Sequence, residues 1–314
     1  MPETVSNGRE LRVAWTRDGA PESSPNRTPD GTPDGSSSGT SDGWPAADAA
    51  LARALAVGAG QVLLAVRSGG LTGDRLKDAG DAAAQDLLSR RLAEQRPGDQ
   101  VLSEEAADPA ARVTADRVWI VDPLDGTREF AEPGRTDWAV HVALWDRSAN
   151  GLVAGAVALP ALGACYATDV PPVLPPRRPG ERLRIAVSRS RPPALVAGLA
   201  DRLGADLVAM GSAGVKCAAV WRGEVDLYVH AGGQYEWDSA APVAVARAAG
   251  LHASRIDGSE LEYNRPDPLL PDLVVCRGDL ADQVLAAIAG LADRPAEGRA
   301  DARTERGSDE VSSR

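Results

Sequence analysis

The chain has 314 residues, of which 43% are hydrophobic and only 4% aromatic, and it carries a formal charge of −11. That length permits one large domain or two coupled ones around a core made mostly of Ala, Val and Leu. The acidic balance excludes wrapping a nucleic-acid polymer, which needs a basic face, but allows a small anion bridged to the acids by cations.

The opening segment "MPETVSNGRELRVAW" has no apolar stretch of the signal-peptide kind, so a cytoplasmic protein is expected. Residues 18–43 are almost all Pro, Gly, Ser, Thr, Asp and Asn. Such a composition cannot bury enough apolar surface to offset its ordering entropy, so 1–43 reads as a disordered leader and 293–314 as a disordered tail.

Between them, 45–67 and 78–95 have helical apolar spacing, the second stopped by Pro97-Gly98. Short strand-like runs follow: "QVLS", "RVWIVD", "DWAVHVALW", "GLVAGAVAL" and "ACYAT". In "DWAVHVALW", Trp138, Val140, Val142 and Leu144 alternate onto one face. Residues 151–167 are uncharged, but they are short for a membrane span and interrupted by Pro160, so strand–turn–strand is the simpler reading. After the proline-rich 170–180, strands and helices alternate. The expected division is an N-terminal α+β half, 44–180, with two helices against an antiparallel sheet, and a C-terminal α/β half, 181–292.

Cys165, Cys217 and Cys276 are far apart and form no CxxC pair, and His141, His230 and His252 are equally scattered. Any metal site must then be built from oxygen. In "RVWIVDPLDGTREF" an apolar run ends in Asp122, and Asp125 follows in the turn. Two like charges so placed repel, and a divalent cation removes the objection. By itself the stretch reads equally as an Asp-rich surface turn with a helix cap. Glu104 and Glu105 in "VLSEEA", Asp238 in "YEWDSAAP" and Asp81 in "KDAGD" are further acids at element ends, each also explained as a solvated pair or a helix first-turn acid.

Together and in order, "LSEEA", "DPLDGTREF", "GSAGVK" and "WDSAAP" resemble the signature set of the inositol monophosphatase superfamily, and within it the CysQ-type 3'(2'),5'-bisphosphate nucleotidases of actinobacteria. The resemblance runs from about residue 46 to 291. It implies an α+β/α/β chain folded as a layered αβαβα sandwich of the inositol monophosphatase/fructose-1,6-bisphosphatase type. It also implies a lithium-sensitive phosphatase with two or three Mg²⁺ per active site. The implied metal ligands are Glu104, Asp122, the Leu124 carbonyl, Asp125 and Asp238, with Glu105 behind them. Asp81 and Thr127 resemble the pair that orients and deprotonates the attacking water, although "KDAGD" departs from the usual Thr-x-Ala-Asp around Asp81. Gly126 and Thr127 are implied to hold the scissile phosphate, and Ser212 and Lys216 the nucleotide's second phosphate and sugar; a surface lysine is the alternative for Lys216. The implied reaction is hydrolysis of 3'-phosphoadenosine 5'-phosphate, and of its sulfated form, in sulfur assimilation. The implied partner is a small-molecule nucleotide, with no membrane and a homodimer left open. A broad phosphatase of inositol monophosphate or fructose 1,6-bisphosphate could use the same metal core. A non-catalytic nucleotide sensor would show a broken acid set, whereas here every expected acid is present.

Overall fold

The computed structural model of the protein describes residues 46–177, 180–190 and 192–292. The expected leader, 1–43, and tail, 293–314, lie outside them. Two long helices come first, α1 (Ala46–Ser68) and α2 (Gly73–Gln95). A sheet follows: β1 (Gln100–Ser103), β2 (Arg117–Asp125), β3 (Ala139–Asp146), β4 (Gly151–Leu159) and β5 (Ala164–Ala167), hydrogen-bonded in that order. A short helix, α3 (Thr127–Ala131), lies between β2 and β3.

The second sheet has the order β7-β6-β8-β10-β9. Its strands are β6 (Arg184–Ser188), β7 (Asp206–Met210), β8 (Leu227–Tyr235), β9 (His252–Ser254) and β10 (Leu269–Cys276). The helices between and after them are α4 (Ala194–Leu203), α5 (Ala213–Trp221), α6 (Glu236–Ala248) and α7 (Ala281–Ala292).

Side-chain alternation sets the layers, because successive residues of a strand face opposite sides of the sheet. On β2 and β3, Trp119, Val121, Val140, Val142 and Leu144 pack with Trp138 against α1 and α2. Their neighbours Val118, Ile120, Ala139, Ala143 and Trp145 face the other way and join α5, α6 and Tyr228, Leu273 and Val275 of the second sheet. The outer face of that sheet, with Ile185, Val187 and Val229, packs on α4 and α7. The result is helices, sheet, helices, sheet, helices: the expected αβαβα sandwich. The expected junction at 180/181 falls between β5 and β6, while the central layer is common to both sheets.

The face predicted for "DWAVHVALW" is the one buried under the helices. Three other expectations need correction. The first sheet is mixed, because β1 pairs parallel with β2; a crossover through a short helical turn, Ala110–Thr114, joins them instead of a hairpin. Helix α2 starts earlier than 78, because Leu76 begins the buried stripe Leu76, Gly80, Ala84, Leu88 and Leu92. Strand β2 continues through Pro123 to Asp125 instead of ending at Asp122. By length and composition Ala47–Ser68 could cross a membrane. Here Ala49, Ala52, Ala56, Ala59 and Leu63 bury one face of α1 completely, and small side chains let it lie close on the sheet.

Candidate active site

The acids of the "DPLDGT" stretch are set by an irregularity in β2. Pro123 has no N–H to give the ladder. The register with β3 breaks between Asp122, paired with His141, and Asp125, paired with Ala139. Both acids therefore come to the same side of the strand end. The Leu124 N–H folds back onto Asp122 Oδ1 at 3.0 Å. Gly126 turns the chain with φ +90°, a conformation that a side chain disfavours. Asp238 arrives from the far half in the first turn of α6, where its Oδ2 accepts the Tyr235 N–H at 2.7 Å. Pro242, four residues on, withdraws the N–H that would otherwise bond the Asp238 carbonyl.

One carboxylate oxygen from each of Asp122, Asp125 and Asp238 lies within 4.8 Å of the others. Asp122 is buried and its Oδ2 has no hydrogen-bond partner among the described residues. A buried carboxylate without a partner is costly. Burial, then the charges of Glu104, Asp125 and Asp238, hold Asp122 well above the usual carboxylate range. Glu104 stands at the rim, more exposed than the triad, and is pushed up to about 7 by desolvation and by Asp238, Asp125, Glu105 and Asp81. Asp81 on α2 is also held at about 7, first by desolvation and then by Glu105 and Asp78. Gly80 lets α2 close in, since a Cβ there would come within 2.7 Å of the Phe130 ring. Asp238 rises to about 6 through burial and Asp125, against the opposing Tyr235 N–H. This oxygen-only donor set, whose buried Asp122 Oδ2 accepts no hydrogen bond among the described residues and has only the His141 ring at 3.9 Å as a positive neighbour, fits hard divalent metal ions.

Asp125 differs. Burial would raise it, but the charge of His141, the Lys216 ammonium and the Ser212 hydroxyl bring it down to about 2. Its Oδ2 accepts from Ser212 Oγ at 2.5 Å and from the Gly214 N–H at 2.7 Å. Ser212 is held at φ +54° and caps α5 through the Val215 N–H. Lys216 is only 6% exposed and sits over the Tyr228 ring, 5.2 Å from its centroid. The surface-lysine alternative is thereby excluded. Ser212 and Lys216 serve the acid cluster here; the expectation that they reach outward to a second phosphate has no support in their contacts. The Thr127 hydroxyl donates to the Leu124 carbonyl at 3.1 Å, and makes no hydrogen bond to Asp81. Glu105 stays at the surface, its N–H directed at Ser103 Oγ, 3.4 Å away.

His141 was not among the expected site residues. It is fully buried, with Nε2 3.2 Å from Asp125 Oδ2 and Nδ1 3.1 Å from the Trp237 carbonyl. The Nε2 contact is out of line for a good hydrogen bond, so it acts mainly as charge. Burial lowers the imidazole pKa, but Asp125 and the Trp237 carbonyl raise it further, to a net value above the ordinary one. The only sequence signal was its place on the face of β3 opposite Val140 and Val142.

The shifted acids make a pH prediction for the metal-free protein. Folded-state pKa values of about 7 for Asp81 and Glu104 and about 6 for Asp238 exceed the unfolded values. The folded state then holds protons more tightly, so this stability is complete below about pH 4 and is lost as pH rises towards about 7. The lowered Asp125 acts only below that window. Thermal melts in chelator should show Tm falling between about pH 5 and about pH 7.5, and a divalent metal should reverse the fall. A metal-free Tm that rises across this interval would contradict the acid cluster.

The model of the inositol monophosphatase family matches residues 45–170 and 179–291. A Mycobacterium tuberculosis protein named 3'-phosphoadenosine 5'-phosphate phosphatase is 56% identical over 239 residues, 74% of this chain and 89% of that one. The Mycobacterium leprae protein of the same name is 53% identical over 261 residues, 77% of this chain and 93% of that one. Among solved structures, CysQ from Bacteroides thetaiotaomicron superposes with a TM-score of 0.66 at 25% identity, covering 74% of this chain and 98% of that one. With the acid cluster at the junction of its two sheets and a family match across nearly all of its described residues, the chain belongs to the inositol monophosphatase family.

Proposed function

We propose that the chain is a metal-dependent phosphatase that hydrolyses 3'-phosphoadenosine 5'-phosphate to AMP and phosphate, with two or three Mg²⁺ per site. The observation that carries the reading is the convergence of Asp122, Asp125 and Asp238 around an orphaned, buried carboxylate oxygen. The names of the mycobacterial relatives supply the substrate. Asp122, Asp125 and Asp238, with Glu104 and the Leu124 carbonyl, would hold the metal. Bound there, divalent cations supply charge neutralisation and a lowered pKa for the attacking water.

The protein's own part is positioning. Gly126 and Thr127 open α3, where the first N–H groups lack intrahelical acceptors and suit a phosphoryl oxygen. Asp81, held at about 7, suits a proton acceptor working near neutral pH. Phosphoryl transfer needs little covalent chemistry from the protein, so fixed charges and geometry carry most of the rate. No cysteine is called on: Cys217 is buried and its thiol is pushed far up by desolvation.

The test offers purified protein the adenosine bisphosphate, inositol 1-phosphate and fructose 1,6-bisphosphate with Mg²⁺. The expected result is the highest kcat/KM on the adenosine bisphosphate, loss of activity in EDTA and inhibition by Li⁺. A preference for either sugar phosphate would reassign the substrate, and full activity in EDTA would remove the metal reading. Lys216→Ala belongs in the same assay. Because this lysine is buried towards Asp125, its loss should lower kcat/KM about ten- to a hundredfold, the cost of a charge-assisted contact, and equally on all three substrates. A loss confined to the bisphosphate would return Lys216 to the second phosphate.

A further inference from the structure

We propose that the outward face of the Tyr235 ring is the seat of the substrate's purine base. The proposal rests on the nucleotide reading above and adds the residue that would select for a base.

Tyr235 is the last residue of β8, and its main-chain N–H is bonded to the Asp238 carboxylate at 2.7 Å. The backbone that carries this aromatic side chain is thus tethered to an acid of the cluster. Its ring stacks on Trp237, with centroids 4.6 Å apart and planes 12° from parallel. One face is therefore covered and held. The residue as a whole remains 46% exposed. Across the ladder, Tyr235 pairs with Leu269, itself 49% exposed. Large exposed apolar groups are unexpected at the edge of a site built for anions and cations. They are expected where a ligand has one flat apolar end and one charged end.

The chain just before Tyr235 carries no side chain at two successive positions. Gly232 and Gly233 take φ +123° and +86°, and a Cβ added at Gly232 would meet nothing within 4 Å. A parallel pair of aromatic rings with one free face is a geometry to which a third planar ring adds by stacking. An inositol or fructose ring has no π-face and gains little there. The phosphate end of a nucleotide would lie at the acids and the base at the ring.

The cap on Asp238 uses the backbone N–H, so Tyr235→Ala leaves it in place. The variant should raise KM for the adenosine bisphosphate roughly tenfold, the scale of one lost base–aromatic stack, with kcat within about twofold of wild type. Equilibrium binding of AMP should weaken in the same ratio. Tyr235→Phe should behave as wild type, and KM for inositol 1-phosphate should not move. Wild-type protein that fails to hydrolyse the adenosine bisphosphate would refute the functional reading itself. Active wild type with an unchanged KM in Tyr235→Ala, with the loss in kcat, or with an equal loss on inositol 1-phosphate, would overturn the stacking proposal alone.

Discussion

Asp122→Asn is expected to lower kcat/KM by on the order of a hundred- to a thousandfold, the scale on which removal of one preorganised electrostatic contact acts, while the metal-free protein melts no lower than wild type. The two results have one cause. Asp122 is buried, its Oδ2 has no hydrogen-bond partner among the described residues, and burial together with three other carboxylates raises its pKa. In the absence of metal its charge destabilises the fold. Asparagine keeps the shape and can retain the contact with the Leu124 N–H. The charge it removes is one that a divalent cation needs. The readout independent of turnover is the rise in Tm on adding Mg²⁺, which should be large in wild type and nearly absent in the variant. A variant that keeps the full Mg²⁺-induced rise would show that Asp122 is not a ligand. One that fails to fold would show that its role is structural.

Gly214→Ala is the second large effect. A Cβ at this position would stand 2.1 Å from His141 Nε2, far inside van der Waals contact. Neither partner can move cheaply. His141 has no exposed surface and is held by the Trp237 carbonyl, while the Gly214 N–H is committed to Asp125. Overpacking of this kind costs about 1–3 kcal/mol, so Tm should fall by several degrees. Activity should fall about ten- to a hundredfold, as it does when a group orienting a metal ligand is disturbed. The double variant Gly214→Ala/His141→Ala separates the two contributions. Removing the imidazole relieves the clash and should recover much of the Tm, but activity should stay low because Asp125 has lost His141. Recovery of both would mean that His141 is only a steric neighbour. No change in the single variant would contradict the packing of α5 on β3.

Local pattern in the chain was enough to determine a good deal. The alternation of Trp138, Val140, Val142 and Leu144 identified the buried face of β3, because period two is imposed by the strand itself. The uncharged run 151–167 is β4, a turn at Pro160 and β5, because proline and glycine interrupt a helix locally. The order of "LSEEA", "DPLDGT" and "WDSAAP" was enough to propose which acids meet. What each neighbouring residue does was decided by contacts between distant parts of the chain. Ser212 meets Asp125 across 87 residues, and Glu236 accepts the Asn264 N–H across 28. Lys216, in a helix whose other side chains are apolar, could have faced water or protein; packing against the second sheet placed it over Tyr228, on the side of Asp125. His141 carried no motif at all. It lies opposite Asp122 only because β2 and β3 pair in one register, and a slip of one residue would have turned it to the other face of the sheet. Register and inter-sheet packing are properties of the whole chain, so only the tertiary structure could make a solitary histidine and a buried lysine part of the acid site.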